Sequence, residues 1–439
     1  MYLFTKLNFN GKDLLNLLIA LFPVSFIAGN MIININLILI IISSIILFKS
    51  DLFKIKIYFL DKLILIFFFL VIFTGIINDY FFFTQKLFWK GYFSTIIKSI
   101  FFLKYLFLYI VLRYLIEKDY LDLKLFFISS SLCVLFVTLD IFYQFIYGKD
   151  IFGFLPKGRK LSGPFGDELI AGGFLQRFSL FLLFLIPLFF NKISSNIAYK
   201  FLISFLLLIL CLGLILSGNR MPLLIFLFTI FLITIFQNQA RKFLISFFII
   251  FILVFSILFK TNQMIKYNFL DFYGQISKSV QMIVDGNAFN QKAPGYLKEF
   301  STFYDTWLMN KYLGGGIKNF RYYCHKRPNI DKNIKFVCNM HPHNYYLEIL
   351  TETGIVGLFL ITLIFVNIFY LSFIKKYFFK TAFLNDNLII PFIFLFIAEI
   401  FPLKSTGSFF TTGNSTYLFL IIGIITGLVR RDNNIAIKN

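Results

Sequence analysis

Apolar runs of roughly bilayer length recur along the chain, separated by short polar connectors that are mostly basic. An α-helix rises about 1.5 Å per residue, so some 20 apolar residues cross a hydrocarbon core. By that measure the pattern predicts twelve spans, near 14–29, 31–48, 62–78, 92–116, 123–147, 172–190, 197–216, 221–236, 242–259, 349–374, 386–402 and 415–430. The first two meet at Gly29-Asn30, like a hairpin. The run from Leu14 lacks a small-residue cleavage pattern and leads straight into further apolar sequence, so it reads as the first span. The fold class expected is an all-α polytopic membrane protein of about 12 transmembrane helices. Spans one to nine fill 1–259, a polar segment fills 260–342, and spans ten to twelve fill 343–439.

The connectors after even-numbered spans are all basic. They hold Lys49, Lys54, Lys56 and Lys62; Arg113, Lys118 and Lys124; Lys192 and Lys200; Arg241 and Lys242; Lys375, Lys376 and Lys380; and Arg430, Arg431 and Lys438. Basic connectors stay in the cytoplasm, which puts both termini there and the odd-numbered connectors outside.

Three outward connectors depart from that rule. Residues 148–171 form a Gly/Pro-rich loop with a basic knot at Lys157, Arg159 and Lys160. The turn Ser217-Gly218-Asn219-Arg220 precedes span eight. Segment 260–342 carries 12 Lys/Arg against 5 Asp/Glu, where topology predicts no basic excess. It is too polar to span and too long for a bare connector. Helical spacing of Tyr296, Phe300, Phe303, Tyr304, Trp307 and Leu308, then a break at Gly314-Gly315-Gly316, predicts a partly helical periplasmic cap between helices nine and ten.

Composition agrees: 59% of the 439 residues are hydrophobic and mean hydropathy is +0.82, outside the soluble range. The net charge of +21 would suggest nucleic acid in a soluble domain. Here cytoplasmic loops account for much of it, and the outward excess suits an anionic substrate. Membrane lipids are expected partners and nucleic acid is not.

The chain holds three histidines, His325, His341 and His343, almost its only side chains that exchange a proton near neutral pH. Pro342 suits a helix start, so a helix beginning there puts His343, Leu347, Leu350 and Gly354 on one face and Glu348 and Glu352 on another. Gly354 and Gly357 would let a neighbouring helix approach. Arg220 follows a turn with free N–H groups, a combination suited to a diphosphate. Arg177 and Glu399, and less clearly Asp140, are ionisable groups within spans. Cys133 and Cys211 read as buried apolar residues. Cys324 and Cys338, outward and fourteen apart, can form a disulfide. A Cys/His metal site is the alternative, but the spacing matches none of the usual zinc patterns. No Walker A loop, Rossmann glycines or Asp-x-Asp pair occurs, so no cofactor or metal is expected and the substrate must arrive already activated.

These residues resemble the O-antigen ligase family. Its signature is His, then Asn, Ser or Gln, nine residues, then Gly-x-x-Gly; here His343, Asn344, residues 345–353, Gly354 and Gly357 match it. Arg220, the Ser162–Asp167 loop, and Gly314–Gly316 followed by Phe320-Arg321 resemble further family features. The resemblance implies transfer of a glycan from undecaprenyl diphosphate to a lipid A–core sugar on the periplasmic face of the bacterial inner membrane, without metal or nucleotide. It implies His343 as base, with His341 and Asn344 supporting it. It also implies a cationic clamp on the diphosphate of Arg220 with Arg321, Lys298 or Arg159. Where the family commonly has a second arginine this chain has Lys298, which supplies charge without a fork. An O-antigen polymerase with a second lipid-linked glycan as acceptor, a protein O-oligosaccharyltransferase and a lipid-glycan transporter are the rival readings. A transporter predicts polar groups through the bilayer midplane, whereas the ionisable groups here gather at the outer rim.

Overall fold

The computed structural model describes residues 11–84, 94–189, 197–285, 294–327, 338, 342–379, 387–405 and 407–438. Their regular secondary structure is helical throughout. In chain order the helices are α1 (Gly11–Ala20), α2 (Phe22–Ala28), α3 (Asn30–Phe48), α4 (Phe59–Thr84), α5 (Thr95–Phe102), α6 (Lys104–Glu117), α7 (Lys124–Tyr147), α8 (Ala171–Phe189) and α9 (Ile197–Leu216). There follow α10 (Arg220–Phe236), α11 (Asn238–Thr261), α12 (Gln263–Val284), α13 (Gly295–Trp307), α14 (Phe320–Tyr323), α15 (Tyr345–Phe369), α16 (Ile389–Glu399) and α17 (Thr412–Lys438).

Eight helical stretches are long and apolar enough to cross a membrane, and the α1–α2 pair, bent by 45°, makes a ninth if taken as one span. Three of the twelve expected spans are shorter helices: Phe201–Leu216, Arg220–Phe236 and Ile389–Glu399. The 17 residues of α10 rise about 26 Å, less than a full hydrocarbon core.

The bundle is built around α17, whose residues from Ser415 to Val429 are buried. Two glycines let it close on α6. A Cβ on Gly427 would stand 2.7 Å from the Ile116 Cβ, and one on Gly423 would stand 3.0 Å from the Leu112 Cβ. Small residues four apart permit this approach between membrane helices. Arg113, read from sequence as a connector charge, lies inside α6 instead. It is buried against Asp61 at 2.5 Å, where the Tyr109 hydroxyl also donates to that carboxylate.

The polar 260–342 segment contributes α12, α13 and α14. A single residue, Asn262, separates α12 from α11, and its side chain caps α12 by accepting from the Ile265 N–H at 3.1 Å. Phe269 then packs edge-on against Phe255 of α11, with centroids 4.9 Å apart. On α13 the buried side is Thr302, Phe303 and Thr306. Phe303 stacks on Phe320, and the Thr351 hydroxyl donates to the Phe303 carbonyl at 3.3 Å, which ties α13 to α15. Cys324 and Cys338 are joined as a disulfide with Cα atoms 5.9 Å apart.

Candidate functional site

The helix after His343 does not begin at Pro342. It begins at Tyr345, and His343 stands outside it with φ +54°. Asn344 provides the reason. Its Oδ1 accepts from the backbone N–H groups of Tyr346 and Leu347 at 3.0 and 3.1 Å, an N-cap. Its Nδ2 donates to the Pro402 carbonyl at 2.8 Å. One asparagine thus starts the helix and fixes it to the 401–411 loop, leaving His343 just ahead of it in a left-handed turn. His341 lies outside the described residues.

The same helix breaks nine residues later. Gly354 has φ +68° and ψ −173° in the middle of α15, so it does not serve as a smooth contact for a neighbouring helix, as the spacing suggests. The Gly314–Gly316 turn fills the break. Gly315 and Gly316 donate to the carbonyls of Thr351 and Glu352 at 2.9 and 2.8 Å. Ile355 and Val356 donate to the carbonyls of Lys311 and Tyr312 at 2.9 and 3.4 Å. Backbone groups that a broken helix would leave unpaired are thereby satisfied. A Cβ on Gly354 would overlap the Tyr312 carbonyl, and one on Gly314 would overlap the backbone at Glu352. At Gly357 a built Cβ would overlap the Thr353 hydroxyl of the same helix, while Leu70 of α4 lies at an ordinary contact distance of 3.6 Å.

Three cations gather on the Arg220 side. Residues 157–160 form a tight turn closed by Lys157 N–H to Lys160 O at 3.1 Å and the reciprocal bond at 3.2 Å. The Ser217–Arg220 turn packs on it, and a Cβ on Gly218 would meet the Arg159 carbonyl at 2.7 Å. Helix α12 closes the third side. The Asn268 amide donates to the Arg159 carbonyl at 3.2 Å, and the Arg220 guanidinium donates to the Asn268 carbonyl at 2.9 Å and lies over the Phe272 ring.

Within this group Arg159 turns to an ion pair with Asp271, and the Lys160 side chain packs on the Ser217–Arg220 turn, its Cγ 3.0 Å from a Cβ built on Gly218. Burial, and then the positive charge of Arg220, lowers the pKa of the Lys160 ammonium. Burial, and then the charge of Lys160, holds the half-buried His343 imidazole below its ordinary 6.5. Lys160 thus adds positive charge near both Arg220 and His343, a residue that sequence reasoning saw in the basic knot but passed over for its neighbour. Lys298 is half-buried on α13, its carbonyl accepting from Thr302. Arg321 stands over the Tyr322 ring. Neither makes a contact with Arg220 or Lys160 among the described residues.

Two residues after His343, Tyr345 reaches Glu399, which is fully buried and collects donors from separate parts of the chain. Arg177 of α8 donates to it at 2.7 Å, Tyr345 donates at 2.5 Å, and the Lys404 ammonium pairs with it at 2.7 Å. Arg177 also donates to Asn414 of α17 at 2.6 Å. Lys404, buried over the Tyr345 ring, is brought down to about 8 chiefly by burial, which outweighs the attraction of Glu399. Asp140 accepts from the Ile151 N–H at 2.9 Å and so belongs to the base of the 148–171 loop.

The arrangement offers an imidazole that is neutral at neutral pH, a fixed guanidinium and a lysine beside it. Residues 205–362 match the family model described as O-antigen ligase. The match takes in Arg220, the Gly314–Gly316 turn, His343, Gly354 and Gly357, and leaves Lys160, Arg177, Glu399 and Lys404 outside it. No curated protein matches the chain.

Proposed function

The chain carries an O-antigen ligase family segment across residues 205–362, and from that premise we propose that it transfers a glycan from a polyprenyl diphosphate to a sugar hydroxyl of lipid A–core. The reaction belongs on the periplasmic face of a bacterial inner membrane. What supports this reading is the family match, which takes in Arg220, His343, Gly354 and Gly357, together with the packing of the Ser217–Arg220 turn on the basic 157–160 turn.

Arg220 and Lys160 hold the diphosphate of the donor, the guanidinium by paired hydrogen bonds and the ammonium as a point charge. Neutral His343 takes the proton of the acceptor hydroxyl as that oxygen bonds to the anomeric carbon. The bond from that carbon to the diphosphate oxygen breaks, and the electron pair leaves with the diphosphate. Negative charge growing there is met by the two cations, so no general acid is required. A single displacement of this kind inverts the anomeric centre. Glu399, through Tyr345 and Lys404, positions the helix that carries His343. The Cys324–Cys338 disulfide is in keeping with an oxidising compartment.

The test is reconstitution of the full chain with an undecaprenyl diphosphate-linked glycan and lipid A–core, followed by mass analysis. The expected product is the core plus one glycan, formed by the wild type and absent with His343→Ala at unchanged thermal unfolding. A lengthened donor glycan would assign the chain to polymerisation instead. Full activity of His343→Ala, or no consumption of donor by the wild type, would overturn the reading.

A further inference from the structure

Helix α12 carries an apolar stripe that extends beyond the protein it packs on. Ile265, Phe269, Phe272, Ile276, Val280 and Ile283 recur at intervals of three and four, which places them on one face of a helix. Gly274, Lys278 and Gln281 fall on the opposite face. The first half of the stripe is packed. Ile265 is buried, and Phe269 and Phe272 are half-buried against Phe255 and Arg220. The second half is bare: Ile276, Val280 and Ile283 are 46, 55 and 57% exposed, with Tyr273 at 72% and Val284 at 78% beside them.

The level at which α12 is held indicates what covers this face. Helix α11 forms one of the eight candidate spans, and a smaller share of it lies inside the protein than of any other. Its exposed Ile249, Leu253 and Ile257 therefore face hydrocarbon. Helix α12 follows after Asn262 alone. Phe255 lies six residues before the end of α11, and Phe269 six residues after the start of α12, about 9 Å along each axis. The two rings are in contact, and packed helix axes stand about 8–10 Å apart, so the helices enclose an acute angle. Helix α12 thus folds back beside the last turns of the span instead of rising from them. The Arg159–Asp271 ion pair and the bond from Arg220 to the Asn268 carbonyl hold it there, at the start of α10. Phe269 points from the stripe at the flank of α11, so the bare half of the same stripe faces the hydrocarbon beside that flank. An amphipathic helix at this level, apolar toward the bilayer and polar away from it, lies in the membrane interface.

We infer that the distal half of α12, from Tyr273 to Val284, is seated in the surface of the lipid bilayer, with Ile276, Val280 and Ile283 among the acyl chains and Lys278 and Gln281 toward water. The helix that holds Arg220 through Asn268 and Phe272 is then fixed by lipid as well as by protein. This seating does not depend on the group transferred, so its failure would leave the glycan-transfer reading standing, and the converse.

The test places the full chain in phosphatidylcholine nanodiscs, without donor or acceptor, after labelling Val280→Cys or Lys278→Cys with a fluorescent maleimide. Native Cys133 and Cys211 are buried and Cys324 and Cys338 are joined, so the added thiol takes the label, and the labelled wild type gives the background. A lipid carrying a nitroxide high on its acyl chain should quench the Val280→Cys label severalfold more than a water-soluble nitroxide does. The order should reverse for Lys278→Cys. Ile276→Cys repeats the stripe measurement should Val280→Cys unfold. Stronger aqueous than lipid quenching at both stripe positions would place the face in water and overturn the inference. Protection of the stripe from both quenchers would also overturn it, assigning the face to a second copy of the chain if a bifunctional maleimide cross-links Val280→Cys and to other parts of the same chain if it does not.

Discussion

Arg177 and Glu399, 222 positions apart in the chain, meet at 2.7 Å, and Tyr345 at the start of α15 donates to the same carboxylate. Glu399 is fully buried and Arg177 and Lys404 are nearly so, so the three charges depend on one another. Glu399→Gln keeps the volume and leaves two buried cations without their counter-charge. Breaking a buried pair in this way costs about 3–5 kcal/mol. The variant should unfold at markedly lower temperature in detergent, and an unchanged midpoint would show that the cluster is already well solvated.

A second prediction concerns pH. His343 is held below its ordinary 6.5 by burial and by Lys160, so the imidazole is neutral at pH 7 and becomes protonated only in acid. Transfer should therefore fall as the pH drops below the ordinary histidine range. Lys160→Met removes a neighbouring positive charge, which favours the protonated imidazole and moves the acid limb of kcat/KM to higher pH. A limb that stays in place would mean that Lys160 does not act on His343.

Arg220→Lys tests the fork. The substitution keeps a positive charge but gives up paired hydrogen bonds and the contact with Phe272. Loss of one charge-assisted hydrogen bond is worth about 1.5–3 kcal/mol. The donor KM should rise tenfold or more while the acceptor KM stays in place. An unmoved donor KM would leave Arg220 as an anchor for α12 through the Asn268 carbonyl.

Gly354→Ala addresses the break in α15. The residue has φ +68°, and an added Cβ would overlap the Tyr312 carbonyl. Strain and overlap together should cost more than about 2 kcal/mol, with transfer lost. Gly173, where a Cβ meets nothing within 4 Å, is the control position for Gly→Ala.

The sequence makes some of this legible and hides the rest for physical reasons. Apolar run length locates the helices because burial in hydrocarbon demands it. The His343-Asn344 pair and the two glycines stand out as a spacing, and a helix face is the natural reading of Gly354. Left-handed backbone in mid-helix has no signature apart from the glycine itself, and its partner, Gly314–Gly316, is remote in the chain. Arg159 attracts notice over Lys160 because arginine forks bind diphosphate, yet Asp271 takes Arg159, and only the fold brings Asp271 there. Arg177 and Glu399 are each conspicuous as charges in apolar runs, but nothing in their spacing pairs them.

The four hydrogen bonds that splice the 311–316 turn into α15 run from backbone to backbone. Replacing Lys311 or Tyr312 by alanine removes none of these acceptors, so an alanine scan of that side of the turn would report the splice as neutral ground. The splice becomes visible to mutation only where a missing side chain is restored, at Gly314 and Gly354. For this part of the protein, tolerance to truncation is no guide to importance; sensitivity to one added carbon is.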